Sequence, residues 1–233
     1  MLEIQKKIHA LYNPERAKQA LRFFKTGKGE YGEGDKFLGL SVPQCRAIVK
    51  TYRDSSRSEI TTLLRSPYHE ERLVALIIMV DQYRRGSALQ KETLYRLYLK
   101  STKYINNWDL VDTSASNIVG VHLLNKSKGI LKTLAHSKSV WDRRIAMIST
   151  LVFIVEGQFD ATLQIATLLL YDEHDLIHKA VGWMLREVGK RSRPTLVGFL
   201  DKHAQEMPRT MLRYSIERFP EKKRKRYLLL KNV

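Results

Sequence analysis

The stretch NNWDLVD at residues 106–112 places an aromatic ring and carboxylates at helical spacing. Trp108 and Asp112 are four residues apart, so in a helix they lie on one face. Because a tryptophan is costly to expose and an aspartate is costly to bury, a shared face indicates a groove in which an aromatic plane lies beside an anion. The alternative is that Trp108 packs in the core and that Asp112 caps a helix or pairs with a neighbouring arginine.

Two further candidates, Arg144 and Trp183, lie in later segments that resemble the earlier helices. Stacked repeats bring equivalent helices side by side, so we expect both side chains to face the same groove as Trp108 and Asp112. Such a set suits a cationic substrate on a phosphate backbone. Aromatic rings attract positive charge, a carboxylate stabilises positive charge that develops during reaction, and an arginine holds a phosphate through two hydrogen bonds.

A glycine-rich stretch matches the residue pattern of a nucleotide-binding motif. Residues 27–32, GKGEYG, fit the pattern G-x-G-x-x-G, but a dinucleotide loop requires a strand before it, a helix after it and an acidic residue about 20 positions later. Here a helix is predicted at 14–25, and the next helix begins near Pro43. We interpret Gly27–Gly34 as a flexible link between two helical layers, in which Lys28 is a candidate phosphate contact, and we expect no nucleotide cofactor.

His174 and His178 have the spacing of two metal ligands on a helix. Two histidines at i and i+4 can share a zinc ion, as in HExxH proteases, but Asp175 shortens the reach of any base and no third ligand follows downstream. His174 also lies where the N-terminal cap of a helix is expected. We therefore predict a structural role for both histidines and no metal.

Cys45 is the only cysteine in the sequence, so no disulfide bond can form within the chain. This usage predicts a cytosolic protein. Although Arg46 lies beside it, we expect Cys45 to be an inert, small side chain.

Helical periodicity dominates the chain, and no segment alternates convincingly like a strand. Asn13 can cap a helix whose first residue is Pro14. The apolar run at 163–171 lies between helical patterns and is therefore also predicted to be helical. The longest predicted helices are 70–84, 140–156 and 172–190.

The strongest helices resemble one another. The hexapeptides ERLVAL at 71–76, DRRIAM at 142–147 and HKAVGW at 178–183 share a basic residue and an apolar stripe with a small residue inside it. Their spacing of 71 and then 36 positions gives a period of about 35 residues, which is typical of α-solenoids built from helical pairs. We predict a single all-helical domain of HEAT-like repeats over residues 1–233, with a concave basic groove.

Charge is the strongest compositional signal. The sequence has 41 lysines and arginines against 24 acidic residues, a net charge of +17, and its densest basic run is Arg218–Arg226. Such an excess predicts binding to a polyanion through counterion release, with an acidic membrane surface as the second expectation. No stretch of about 18 apolar residues is long enough to span a membrane.

Several blocks together resemble the AlkD-like DNA alkylation repair family, which comprises bacterial alkylpurine DNA glycosylases built of HEAT-like repeats. The resemblance covers roughly residues 13–220. The matching blocks are Phe37-Leu38-Gly39 with Pro43 and Arg46, Trp108-Asp109-x-Val111-Asp112, Trp141-x-x-Arg144, and Lys179-Ala180-x-Gly182-Trp183-x-Leu185-Arg186-Glu187. The glycine-rich insert Gly27–Gly34 and Asn107 are departures from the family pattern.

The resemblance implies a function. Trp108, Asp112, Arg144 and Trp183 occupy the family's active-groove positions, and Phe23 falls where the family has an aromatic residue near the lesion. The implied reaction is hydrolysis of the N-glycosidic bond of cationic N3- or N7-alkylated purines in duplex DNA, without flipping of the base into a pocket. Five further side chains are expected to contact DNA, namely Phe23, Lys28, Arg143, Lys179 and Arg186.

We expect a monomer, because a solenoid with basic ends is often monomeric, and no metal or cofactor, because the sequence offers no credible ligand set. The expected location is the bacterial cytoplasm, with the protein on the nucleoid while it acts. Related HEAT-like branches have lost the catalytic residues and only bind DNA. A non-catalytic binder of damaged or branched DNA is therefore the alternative, and a helical repeat that binds protein or RNA is a third possibility.

Overall fold

The computed structural model describes residues 1–230. Within that range all regular structure is helical, and the single bridge between extended residues joins Lys36 to Tyr68. The prediction of an all-helical protein is confirmed. The chain divides into two compact units, an N-terminal unit of Met1–Ser114 and a C-terminal unit from Ala115 onward. The expectation of a single domain remains a prediction that a single unfolding transition would test.

The helices as far as the unit boundary are α1 (Glu3–His9), α2 (Pro14–Phe23), α3 (Val42–Tyr52), α4 (Arg57–Leu64), α5 (His69–Arg85), α6 (Ala88–Lys100) and α7 (Trp108–Ala115). A 3-10 turn covers Thr102–Tyr104. The remaining helices are a π-helical turn at Ser116–Gly120, then α8 (Val121–Leu123), α9 (Gly129–Ala135), α10 (Val140–Ile148), α11 (Leu151–Val155), α12 (Asp160–Leu168), α13 (Asp175–Arg191), α14 (Arg193–His203), α15 (Arg209–Ser215) and α16 (Glu221–Leu228).

Helix α5 lies at the centre of the N-terminal unit, where it packs against α1, α3, α4 and α6. Its side chains from His69 to Met79 are all buried. A helix surrounded in this way needs apolar residues on every face, and 73–79 supplies them. The four ionisable residues at 69–72 are buried as well, so they require partners within the protein.

Helix α13 has the same central position in the C-terminal unit, packed against α10, α11, α12, α14 and α15. It approaches α15 closely at Gly182, where an added Cβ would lie 2.5 Å from the Tyr214 Cβ and 2.6 Å from the Met211 carbonyl oxygen. The small residue in the apolar stripe is therefore a requirement of helix packing at this position.

The predicted start of α2 is confirmed, because the Asn13 side chain accepts a hydrogen bond from the Arg16 N–H and Pro14 opens the helix. The predicted single helix at 140–156 was wrong. It breaks between α10 and α11, where the Ser149 and Thr150 hydroxyls donate to the carbonyls of Ile145 and Met147. Such hydroxyl contacts compete with the backbone ladder of a helix.

The glycine-rich segment has helices on both sides, α2 before it and α3 after it, as the sequence predicts. Its turns are held by internal hydrogen bonds, in which the Glu30 and Glu33 carboxylates accept from the Gly27 and Gly29 N–H groups. At Gly32 a Cβ would lie only 2.4 Å from the Phe24 carbonyl oxygen. The segment therefore folds back tightly against the end of α2.

Among the described residues, the helices are too short or too polar to cross a membrane.

Candidate functional site

Trp108 is the first residue of α7 and lies half-buried in an aromatic cluster of the N-terminal unit. Its indole stacks on Phe24, with ring centroids 5.5 Å apart, and meets Phe23 edge-on at 5.8 Å. Phe23 itself is 64% exposed. The cluster therefore runs from the interior to the protein surface, and the indole lies neither in the packed core nor fully in solvent.

Asp112 lies one helical turn beyond Trp108 on α7 and is also half-buried. The i, i+4 spacing places its carboxylate on the indole's side of the helix. The spacing thus puts an aromatic ring and a carboxylate one helical turn apart on α7, and their joint role in a site remains a prediction.

Behind the indole, the rings continue into the unit. Phe24 stacks on Phe37 at 5.0 Å, and the imidazole of His69 lies against both rings, 4.8 Å from Phe24 and 4.7 Å from Phe37. A histidine enclosed by apolar rings has lost its hydration, so its charge state depends on the polar groups at its two ring nitrogens.

Two carboxylates face the ring nitrogens of His69. Nε2 lies 2.7 Å from Asp109 Oδ2, and Nδ1 lies 3.6 Å from Asp35 Oδ2. Burial by itself lowers the pKa of His69, but the charge and hydrogen bond of Asp109, together with Asp35, outweigh burial and raise this pKa to about 9. His69 is therefore an imidazolium cation at neutral pH, although nine-tenths or more of the group is buried.

Arg72 completes this cluster. Its Nη2 lies 2.8 Å from Asp35 Oδ1, and its Nη1 donates to the Ser66 carbonyl at 2.8 Å. Burial raises the pKa of Asp35, but the interaction with His69 and the charge of Arg72 outweigh burial and lower it below the usual range. The buried site thus holds two cations and two anions.

Glu70 organises the segment that follows the glycine-rich loop. Its carboxylate accepts hydrogen bonds from three consecutive N–H groups, those of Leu38, Gly39 and Leu40, at 2.9, 2.7 and 3.2 Å. Gly39 has a φ of +80°, and a Cβ there would lie 2.4 Å from the Asn13 carbonyl oxygen. These contacts give a physical reason for the block Phe37-Leu38-Gly39.

The other two predicted groove residues belong to the C-terminal unit. Arg144 on α10 is buried, and its Nη1 donates to the Leu176 carbonyl at 2.6 Å. Trp183 on α13 is half-buried, and its Nε1–H donates to Glu187 Oε1 at 3.2 Å. The convergence of these two residues with Trp108 and Asp112 remains a prediction.

The five predicted DNA contacts differ in their surroundings. Phe23 and Lys28 are exposed. Lys179 pairs with Asp175 at 2.7 Å, and the Arg186 guanidinium contacts Glu217. Arg143 Nε lies 2.5 Å from Asp172 Oδ2, and its Nη1 donates to two backbone carbonyls. If Lys179, Arg186 and Arg143 bind DNA, each must either give up the contact described here or bind a phosphate in addition to it.

His174 and His178, which have the spacing of a metal-binding pair, have structural roles. His174 caps α13, because its Nδ1 accepts a hydrogen bond from the Leu176 N–H at 3.1 Å, and burial lowers the pKa of this imidazole. His178 Nε2 contacts the Asp172 carbonyl. The described residues contain no cluster of metal-ligating side chains. Burial raises the pKa of the Cys45 thiol to about 12, which agrees with an inert role.

Sequence analysis missed the buried cluster of Asp35, His69, Arg72 and Asp109. Its signal was present in HEER at 69–72, a run of ionisable residues that directly precedes the apolar stretch 73–80 of the same helix. Such a run is ordinarily a solvated helix end. Only its burial reveals that the charges must be paired internally.

Fold and site together define an all-helical repeat protein that presents an aromatic ring and a carboxylate on one helix. The family model for DNA alkylation repair enzymes matches residues 4–219. The chain belongs to the DNA alkylation repair enzyme family.

A solved structure described as a predicted DNA alkylation repair enzyme from Enterococcus faecalis has a similar fold. The TM-score is 0.70 at 17% sequence identity, and the match covers 90% of this chain and 97% of that one. At this identity the likeness concerns the fold alone. No curated protein matches the chain in its sequence.

Proposed function

We propose that the protein is an alkylpurine DNA glycosylase, which hydrolyses the N-glycosidic bond of purines carrying an alkyl group at N3 or N7 in duplex DNA. Membership of a DNA repair family supports a role in DNA repair, and the chemistry of α7 supports this particular reaction. The observation that carries the proposal is that the half-buried Trp108 and Asp112 lie one turn apart on the same helix.

Alkylation at N3 or N7 gives the purine a positive charge, so the base is already a good leaving group and needs little protonation. As its bond to the sugar breaks, positive charge develops on the sugar ring. A carboxylate stabilises this charge and can orient a water molecule towards it. Asp112 has both roles in this proposal, in contrast to the two carboxylates of ordinary glycoside hydrolysis.

Aromatic rings complement the carboxylate because their faces attract cations. Trp108 lies one helical turn from Asp112, and the exposed Phe23, which meets the indole edge-on, extends the aromatic surface. In this proposal these rings pack against the nucleotide that carries the lesion. Trp183 and Arg144 of the C-terminal unit contact the same DNA, the arginine by binding phosphate.

The partner is duplex DNA, held largely through its phosphates. The excess of 17 positive charges supports such binding, because each neutralised phosphate releases counterions. The protein works as a monomer in the cytoplasm, on the nucleoid, and without a metal or cofactor.

The decisive experiment is chromatography of the bases released from methylated duplex DNA. We expect wild-type protein to release 7-methylguanine and 3-methyladenine, and Asp112→Asn to lose about 100-fold or more of the rate, since it removes the charge that stabilises the transition state. Asp142→Asn is a matched control, because Asp142 is also a half-buried aspartate near the start of a helix. Its activity is expected to remain within about twofold of wild type.

Duplex binding by Asp112→Asn is measured in parallel by fluorescence anisotropy and is expected to be retained. Excision by Asp112→Asn at the wild-type rate would contradict the catalytic role of Asp112. Tight binding of methylated duplex with no base released by the wild type would instead favour the non-catalytic DNA binder.

A further inference from the structure

The buried charges of the N-terminal unit form a balanced set that the proposed chemistry does not use. His69 and Arg72 face Asp35 and Asp109. The set is neutral only while His69 carries its proton, because a neutral imidazole would leave two carboxylates facing one guanidinium. An uncompensated charge in a buried site is strongly unfavourable. The folded structure therefore selects the cationic form of His69.

This set holds the backbone on both sides of Trp108. On one side, the Asn106 amide donates to Asp35 Oδ1 at 3.0 Å. On the other side, Asp109 Oδ2 receives the His69 hydrogen bond at 2.7 Å. The first turn of α7 is therefore fastened to the segment that follows the glycine-rich loop and to the start of α5.

A second connection runs through the rings. The His69 imidazole lies against the rings of Phe24 and Phe37. Phe24 in turn stacks on the Trp108 indole. A cation next to aromatic faces is stabilised by them. Displacement of His69 would therefore disturb both the backbone of α7 and the ring on which the indole rests.

We propose that His69 is a positioning residue, which through Asp109, Asp35 and Phe24 fixes the start of α7 and with it the indole of Trp108 and the carboxylate of Asp112. The catalytic consequence rests on the proposed function, but the coupling between His69 and Trp108 does not. Three charged groups face His69: Asp109 on α7, Asp35 in the loop between α2 and α3, and Arg72 on the same helix as His69. The raised pKa of the imidazole keeps the positioning cation charged throughout the neutral range.

The chain provides a matched control in a second histidine–carboxylate pair. His9 Nε2 lies 2.7 Å from Glu71 Oε1, the same distance as in the His69–Asp109 pair, and both pairs involve the first turn of α5. The His9 pair connects α1 with α5 and does not contact α7 in this way. Loss of one histidine–carboxylate hydrogen bond at the start of α5 is thus common to both variants, whereas only the loss of the His69 contact should affect Trp108.

The coupling can be measured without DNA by NMR of the tryptophan side chains. The indole N–H resonance of Trp108 is identified by its disappearance in Trp108→Phe. In wild-type protein we expect this resonance to shift as pH rises, with a midpoint near the His69 pKa of about 9. His69→Gln should abolish the transition, and His9→Gln should retain it.

Asp109→Asn keeps a hydrogen-bonding group but removes the charge that does most to raise the pKa of His69. We expect it to move the midpoint to lower pH by more than one unit. If far-UV circular dichroism shows that His69→Gln does not fold, this shift decides the matter. The proposal would be overturned if the chemical shift of the Trp108 indole N–H did not change as the His69 ring titrates. It would also be overturned if the transition persisted in His69→Gln.

Kinetics provide a separate readout. His69→Gln should lower kcat for excision of 7-methylguanine about tenfold or more, since small displacements of catalytic groups are costly, while the Kd for undamaged duplex stays within about twofold. His9→Gln should leave both quantities near wild type. Absence of base release by the wild type would refute the glycosylase function and leave the NMR result on His69 standing.

Discussion

At the scale of the residue, the start of α5 concentrates most of the polar interactions that shape the candidate site. His69 and Arg72 enter the charge cluster, Glu70 binds three backbone N–H groups, and Glu71 accepts hydrogen bonds from Gln5 and His9. All four are buried. Burial of each polar group costs solvation energy that its partners offset, so removal of any partner should be more damaging than at the surface.

The raised pKa of His69 makes stability depend on pH. In the unfolded chain the imidazole has a pKa near 6.5, whereas in the folded protein it is about 9. The folded state therefore binds the proton more tightly, so this stabilisation is fully present below pH 6.5 and is lost as pH rises through about 9. We expect the free energy of unfolding, measured with urea, to fall over this window.

His69→Gln serves as the control for this titration. Its stability should be lower than that of wild type at pH 6 by about 3 kcal/mol, the order expected for breaking a buried ion pair, and should show much less decline between pH 6.5 and 9. An equally steep decline in both proteins would mean that another group titrates.

At the scale of the element, the glycines inside helices differ in how closely a neighbouring helix approaches them. Gly182 on α13 is pressed against α15, whereas Gly198 on α14 has no atom within 4 Å of an added Cβ. Both lie inside helices, where alanine is intrinsically preferred over glycine. The two positions therefore separate helix propensity from packing.

Alanine at these two positions should have opposite effects. Gly182→Ala forces a Cβ within 2.6 Å of a backbone carbonyl, and we expect a loss of about 1–3 kcal/mol in the free energy of unfolding. Gly198→Ala should gain about 0.5–1 kcal/mol through helix propensity. Urea denaturation of both variants checks this, and a stable Gly182→Ala protein would contradict the close approach of α13 and α15.

At the scale of the whole molecule, the positive charge is most concentrated in and just before α16, which contains most of the basic run Arg218–Arg226. This helix follows the residues that the family model matches, and it is anchored through one face, where the Tyr227 hydroxyl donates to Asp201 at 2.7 Å. Much of the basic run Arg218–Arg226 thus forms a helix. Its exposed cations include Lys222, Arg224, Lys225 and Arg226.

Neutralising these four cations should weaken phosphate binding without touching the chemistry. For the quadruple glutamine variant we expect the slope of log Kobs against log salt concentration to become shallower, by about 0.9 for each phosphate that the variant no longer neutralises, while single-turnover excision with saturating enzyme at low salt is unchanged. A control variant neutralises Lys6, Lys7, Arg96 and Lys100, which are exposed in the N-terminal unit. Equal slopes for the α16 variant and wild type would exclude α16 from DNA binding.

The sequence alone determined the helical fold, the N-terminal caps at Asn13 and His174, and the i, i+4 spacing of Trp108 and Asp112 on α7. These features depend on interactions between residues a few positions apart, which periodicity and spacing report directly. It also predicted a helical environment for the glycine-rich segment, which α2 and α3 provide, and a capping role for His174.

The tertiary structure decided what surrounds those residues. Three features follow from contacts between segments 30 or more positions apart: His69 is a buried cation, Asp109 and Asp35 face it, and Phe24 contacts both the imidazole and the indole. No local pattern encodes such contacts, because the charge state of a side chain depends on its burial and on the partners that the fold brings to it.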